Sequence, residues 1–215
     1  MKIADVKVTI WEWKNIPPTR YTLQVKSSGT RTAHMALVRI ICDDGTEGHA
    51  FLGSALSSLG GGAEQIAGQY KRFLVGRDPL DREYIMQKLG GWAMGSAMPV
   101  IGAIDVALWD LAGKAAGVPI HKLMGSYRSS VPAYASSVVF ETPEEYAEEA
   151  VSYKEKGWTA YKIHPPGDPR LDIKICEATR AAVGDDYRLM LDSTWSYDYP
   201  NALHVGRAIE ALNFY

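Results

Sequence analysis

The residues with the clearest chemical potential are a lysine, a histidine and an aspartate near the ends of two strand-like segments. Lys162 and His164 lie in residues 159–164, and Asp192 lies in residues 188–194. Because side chains two apart on a strand share a face, Lys162 and His164 are expected to point the same way. A base and a carboxylate on adjacent strand ends could perform metal-assisted proton abstraction. A lysine–aspartate ion pair between neighbouring strands gives the same pattern, so spacing alone leaves both interpretations open.

The second half of the chain alternates between strand and helix patterns. A further strand is expected at residues 132–137, and Thr142 followed by Pro143 is typical of a helix start. Asp168 and Pro169 open a second helix in the same way, and a third is expected at residues 201–212. Regular βα units of this kind predict a parallel sheet with right-handed crossovers. If they build a barrel, the three residues converge on its C-terminal mouth.

The first half has a different pattern, with strands followed by helices. Strands are expected at residues 3–13, 34–42 and 47–51, with a hairpin turn at Asp43-Asp44-Gly45-Thr46. Helices are expected at about residues 63–74, 81–89 and 97–116, followed by the stop signals Gly117 and Pro119.

Composition narrows the classes of function. A formal net charge of −2 over 215 residues lacks the excess of basic residues that is typical of nucleic-acid-binding proteins. The longest apolar runs are far too short to cross a membrane. Asp5 and Lys7 lie where a signal peptide needs apolar residues, so a cytoplasmic protein is predicted.

One long segment gives the chain a family resemblance. Residues 101–125, IGAIDVALWDLAGKAAGVPIHKLMG, closely resemble the signature of the mandelate racemase and muconate lactonizing enzyme family, in the enolase superfamily. Residues 74–89, LVGRDPLDREYIMQKL, are similarly family-like. A second signature matches Leu189, Asp192, Ala202 and Ile209, and departs at Thr194, where Asn or His is usual. The resemblance covers essentially the whole chain.

The resemblance implies a fold and an approximate division into domains. An α+β capping domain is expected over residues 1–125. Residues 126–215 are expected to form the first part of an α/β (β/α)7β TIM-like barrel, truncated after about three βα units. Residues 14–31 and 51–62 fall where the family's two capping loops close over the substrate. Thr19, Arg20 and Tyr21 are therefore candidates for contact with a polar acid, although most loop residues face solvent.

The resemblance also implies roles for the three residues. The family holds Mg²⁺ with three carboxylates on successive strands, and Asp192 matches the first of them. A Lys-x-Lys pair usually supplies one base, and here it reads Lys162-Ile163-His164. His164 is then the expected base, since lysine or histidine serves with Mg²⁺ in this superfamily. Lys162 is the expected neighbouring cation.

The expected activity is Mg²⁺-dependent abstraction of the proton α to a carboxylate, followed by dehydration of a sugar acid. Two alternatives stay open. One is a racemase, epimerase or cycloisomerase of the same family. The other is a non-catalytic paralogue, which stays possible because a histidine replaces the family's second lysine at position 164. The expected partner is a small-molecule carboxylate in a homo-oligomeric protein without nucleic-acid or membrane partners, and the 215-residue chain alone is expected to be inactive.

Overall fold

The computed structural model describes residues 1–16, 31–53, 59, 61–92 and 98–215. Contacts divide them into two compact units. One contains Met1–Ile16 and the described residues up to Ser129, and the other contains residues 130–215. None of the helices within the described ranges combines the length and apolar character needed to cross a membrane.

The first unit contains an antiparallel sheet in the order β1-β2-β3. Its strands are β1 (Ile3–Ile16), β2 (Arg31–Cys42) and β3 (Glu47–Leu52). The predicted hairpin is confirmed: Gly45 has a φ of 85°, and the Cys42 N–H donates to the Thr46 carbonyl at 2.9 Å. Alternate residues of the strands enter one core, including Val6, Ala36, Val38, Ile40, Ala50 and Leu52.

Helical segments follow this sheet along the chain, and the longest of them packs against its buried face. They are α1 (Gly62–Gln65), a π-helical turn (Ile66–Tyr70), α2 (Lys71–Leu74), α3 (Arg82–Gly90), α4 (Met98–Ala116) and α5 (Ile120–Leu123). Helix α4 packs closely against β3, because a Cβ atom at Gly48 would lie 2.1 Å from the Ala107 carbonyl oxygen. Lys114 stabilises the same contact by donating to the Glu47 carbonyl at 2.7 Å, and Asp110 on the same helix accepts from the His49 N–H at 2.8 Å.

The second unit contains a parallel sheet in the order β4-β5-β6, with a helix after each strand. The strands are β4 (Ala135–Ser136), β5 (Ala160–Ile163) and β6 (Arg188–Leu191). The helices are α6 (Pro143–Glu155), α7 (Pro169–Val183) and α8 (Tyr199–Ile209), and a 3-10 turn (Glu210–Leu212) follows α8. The predicted βα alternation is confirmed, whereas its assignment to the first part of a truncated (β/α)7β barrel stays a prediction.

The helix starts follow the predicted capping chemistry. Thr142 accepts from the Glu145 N–H, and the Glu145 side chain accepts from the Thr142 N–H, which completes a capping box. Asp168 accepts from the first N–H groups of α7. Helix α8 begins at Tyr199, two residues earlier than expected, because Asp198 caps it and accepts from the Asn201 N–H.

A buried arginine joins the end of α7 to the end of the chain. The Arg180 guanidinium donates to the carbonyls of Gly184 and Tyr187 at 2.7 Å each. It also donates to Leu212 at 2.7 Å and to Asn213 at 2.9 Å. These bonds hold the last residues beside β6, where the Tyr215 N–H donates to the Leu189 carbonyl at 2.8 Å.

We expect Arg180→Lys to lower the free energy of unfolding by about 3 kcal/mol, because one ammonium group cannot reach acceptors spread around a planar guanidinium. Urea unfolding followed by circular dichroism measures the change. Arg170→Lys is the matched control, because Arg170 is exposed on the first turn of the same helix. Equal stabilities of the two variants would contradict this anchoring role.

Candidate functional site

Strand β5 has one apolar face and one polar face. Tyr161 and Ile163 are fully buried in the core that α6 and α7 form against the sheet. Lys162 and His164 alternate with them and line a cavity on the opposite side. This is the arrangement expected from period-two alternation.

The ladder of parallel strands continues past the ends of the assigned strands. The Asp192 N–H donates to the Ile163 carbonyl at 2.9 Å, and the Ser137 N–H donates to the Lys162 carbonyl at 2.9 Å. These two bonds align the carboxyl ends of all three strands at one edge.

The structure brings the three candidate residues into contact. Lys162 Nζ lies 3.1 Å from Asp192 Oδ2, and His164 Nε2 lies 3.4 Å from the same oxygen. The side chain of His164 is 9% exposed and that of Asp192 is 42% exposed. The ion pair between strands is therefore present, and a histidine lies beside the same carboxylate, so the two interpretations do not exclude each other.

The second carboxylate oxygen of Asp192 is oriented by the residues immediately after it. Oδ1 accepts from the Thr194 N–H at 3.1 Å. Thr194 and Trp195 both have positive φ, 43° and 63°, so the chain turns sharply and β6 ends earlier than expected. Burial raises the pKa of Asp192, but the hydrogen bonds from Lys162 and Thr194 outweigh it and keep the pKa below its usual value.

The imidazole of His164 is held by the end of β4. His164 Nδ1 lies 2.8 Å from the Ser137 carbonyl oxygen. A carbonyl only accepts, so this bond places a hydrogen on Nδ1. In the neutral ring, Nε2 then carries the lone pair, and it is the atom turned towards Asp192.

The main chain at His164 is fixed by groups that the sequence did not identify as functional. The His164 N–H donates to Ser137 Oγ at 2.8 Å, and its carbonyl accepts from the buried Tyr146 hydroxyl at 2.8 Å. Ser136 Oγ lies 3.3 Å from Nδ1. In the sequence, the only sign of these contacts was the pair Ser136-Ser137 at the end of the strand predicted at residues 132–137.

Lys162 stays a cation in this setting. Burial lowers its pKa, but the hydrogen bonds to Asp192 and the Tyr134 hydroxyl raise the pKa above its usual value. The ammonium also lies 5.2 Å from the centre of the Tyr134 ring, within the range of a cation–π contact.

A cavity of about 760 Å³ opens beside these groups. Its walls combine the three candidate residues with neighbours from β6 and from the chain after it: Met190, Leu191, Ser193, Thr194, Trp195 and Tyr215. Thr19, Arg20 and Tyr21 lie outside the described residues, so their part in the site stays a prediction.

The donor chemistry of Asp192 suits Mg²⁺, which prefers carboxylate oxygens and keeps several waters. Among the described residues, no group of three or more His, Cys, Asp and Glu side chains could hold a metal ion. Asp192 can therefore serve as one ligand of a larger centre but does not form a complete one within the described part of the chain.

Comparisons with known proteins agree with the sequence signatures. The family model described as mandelate racemase / muconate lactonizing enzyme, N-terminal domain, matches residues 5–125. The model described as enolase C-terminal domain-like matches residues 145–215.

Several characterised proteins are similar in sequence. L-talarate/galactarate dehydratase of Salmonella typhimurium is 36% identical over 79% of this chain and 44% of its own length. D-galactarolactone cycloisomerase of Agrobacterium fabrum is 32% identical over 96% of this chain and 55% of its own length. The chain thus spans about half the length of these relatives.

Two solved structures that resemble this chain are of enzymes with different reactions, a dehydratase and an epimerase. D-glucarate dehydratase from Agrobacterium tumefaciens, complexed with magnesium, matches with a TM-score of 0.82 and 33% identity over 100% of this chain and 59% of that one. The dipeptide epimerase from Enterococcus faecalis, complexed with Mg and a dipeptide, matches with a TM-score of 0.86 and 27% identity over 100% of this chain and 60% of that one. With the match to residues 5–125, these findings show that the chain belongs to the mandelate racemase and muconate lactonizing enzyme family of the enolase superfamily.

Proposed function

We propose that the native protein containing this chain removes the proton α to the carboxylate of a sugar acid and then eliminates water, with Mg²⁺ as cofactor. The relatives include dehydratases of talarate or galactarate, xylonate and glucarate, which supports a polyhydroxy acid as substrate. They also include cycloisomerases and epimerases, which carry out different overall reactions on small molecules. Those activities are the alternatives to dehydration.

The observation that carries the proposal is the hydrogen bond between His164 Nδ1 and the Ser137 carbonyl, 2.8 Å long. It fixes the tautomer whose Nε2 can accept a proton. Nε2 lies on the cavity side, beside Asp192, and the ring is too buried to rotate freely. We therefore assign His164 as the base that takes the α-proton.

Lys162 offsets the negative charge that develops on the substrate. Loss of an α-proton turns a carboxylate into a dianionic enediolate, which a cation held in place stabilises better than water does. The raised pKa of Lys162 keeps its ammonium charged at neutral pH, so it cannot compete with His164 as a base.

Asp192 contributes one carboxylate oxygen to the metal centre. When bound, Mg²⁺ supplies a Lewis acid that polarises the substrate carboxylate. The Thr194 N–H at 3.1 Å fixes the plane of the Asp192 carboxylate, so its oxygens are oriented in advance. Thr19, Arg20 and Tyr21 are proposed to contact the acid from the capping loop.

We expect His164→Asn to slow exchange of the substrate α-proton with deuterated water by about 10²- to 10⁴-fold, because the general base is lost. Proton NMR of the native protein incubated with galactarate, glucarate and xylonate measures the exchange. His204→Asn is the matched control, since His204 is exposed on α8. Unchanged exchange in the His164 variant would remove His164 from this role.

The same incubation separates the outcomes of the reaction. Loss of water from the substrate supports dehydration, whereas an epimer or a cyclic isomer would replace it with one of the alternative activities. The absence of exchange with every acid, together with the absence of product, would favour the non-catalytic paralogue.

We further expect residues 1–215 alone to bind no Mg²⁺ at millimolar concentration and to turn over none of these acids. One carboxylate cannot hold an ion that loses its hydration water reluctantly. Isothermal titration calorimetry tests the binding, with Asp192→Asn and the exposed Asp186→Asn as a matched pair. A stoichiometric site that disappears only in the Asp192 variant would overturn this expectation.

A further inference from the structure

A second carboxylate lies buried just behind the candidate site. Asp172 is in the first turn of α7 and has no exposed surface. Its Oδ2 accepts from the Gly167 N–H at 3.1 Å and also from the Tyr197 hydroxyl. It does not line the cavity, so it has no direct part in the proposed chemistry.

The two donors come from different loops. Gly167 lies three residues after His164, in the loop between β5 and α7. Tyr197 lies five residues after Asp192, in the loop between β6 and α8. A single carboxylate therefore connects the loop after the proposed base to the loop after the proposed metal ligand.

The two loops also pack directly against each other. Gly167 has a φ of 93°, which side chains rarely allow. A Cβ atom there would lie 2.6 Å from both Cβ and Oγ of Ser196. Glycine is thus required by the backbone conformation and by the close approach of the neighbouring loop.

The charge of Asp172 strengthens this connection. Burial raises its pKa to about 6, while the bonds from Tyr197 and the Gly167 N–H act in the opposite direction. At neutral pH the group is therefore largely ionised. Hydrogen bonds to a buried carboxylate are stronger than those between neutral groups.

We propose that Asp172 and Tyr197 are positioning residues: by holding together the loops after His164 and Asp192, they keep the two side chains in the separation that the β5–β6 ladder sets. Their effect on catalysis rests on the proposed function, whereas their effect on the geometry does not. A displacement of about 1 Å between reacting groups can cost roughly 10²-fold in rate, so a buried contact of this kind can control activity from outside the cavity.

Amide hydrogen exchange measured by NMR tests the geometric part without any substrate. Tyr197→Phe removes one hydroxyl and keeps the ring, and Tyr199→Phe, two residues further on and exposed, is the matched control. We expect the Thr194 amide to exchange roughly 10- to 100-fold faster in Tyr197→Phe, because a hydrogen bond to a charged group is lost. We expect no change in the control. The Thr194 amide reports on the site because it donates to Asp192.

The Glu145 amide separates positioning from a general loss of stability. It donates to Thr142 at the start of α6, away from both loops. Its exchange is expected to stay unchanged in Tyr197→Phe. An unchanged Thr194 amide, or equal acceleration at Thr194 and Glu145, would overturn the proposal.

Kinetics of the native protein test the catalytic part. We expect Asp172→Ala to lower kcat at least about tenfold with little change in KM, and Asp172→Asn, which keeps one acceptor oxygen, to restore most of it. A change confined to KM, or equal loss in both variants, would contradict positioning. If the protein acts on none of the sugar acids, the proposed function fails while the exchange data still decide the role of Asp172.

Discussion

The register of the β5–β6 ladder is the constraint on which the second unit depends. Lys162 pairs with Met190 and Ile163 with Leu191, so His164 and Asp192 come next to each other at the strand ends. A slip of one residue would turn every β6 side chain to the opposite face. Leu189 would then leave the helix-side core. The charged side chain of Arg188, which alternates with Leu189, would enter the core without a partner, at a cost of several kcal/mol. Packing and chemistry therefore select the same register.

The sequence predicted most elements because their signals are local. Thr142 with Pro143 and Asp168 with Pro169 start helices through contacts within three residues, and Gly45 permits the hairpin turn. The errors arose where the local signal is weak or distant contacts decide the outcome. Strand β4 keeps only Ala135–Ser136 of the six residues expected, since pairing with β5 begins there. The short helix α5 (Ile120–Leu123) was missed because four residues have no periodicity to detect.

Side-chain alternation explains why the three candidate residues could be placed together from the sequence alone. The groups that orient them could not be found in this way. Ser137 acts on His164 through its carbonyl, and a main-chain group leaves no trace in residue type. Tyr146 and Asp172 are on helices whose inward faces look like ordinary core, and only the packing of α6 and α7 brings them to the strand ends.

The histidine at position 164 is consistent with proton transfer when the charges of the site are considered together. A lysine there would place a second ammonium beside Lys162, and both would compete for the one carboxylate of Asp192. An imidazole is not a permanent cation, its Nδ1–H can donate to the Ser137 carbonyl, and its Nε2 lies on the cavity side. Ser137 Oγ and the Tyr146 hydroxyl bond the main chain of His164, whereas the Ser137 carbonyl and Ser136 Oγ lie beside Nδ1 and orient the ring itself. The hydrogen bond that orients the ring supports our proposal that the departure from the family's lysine pair changes the base and does not remove it.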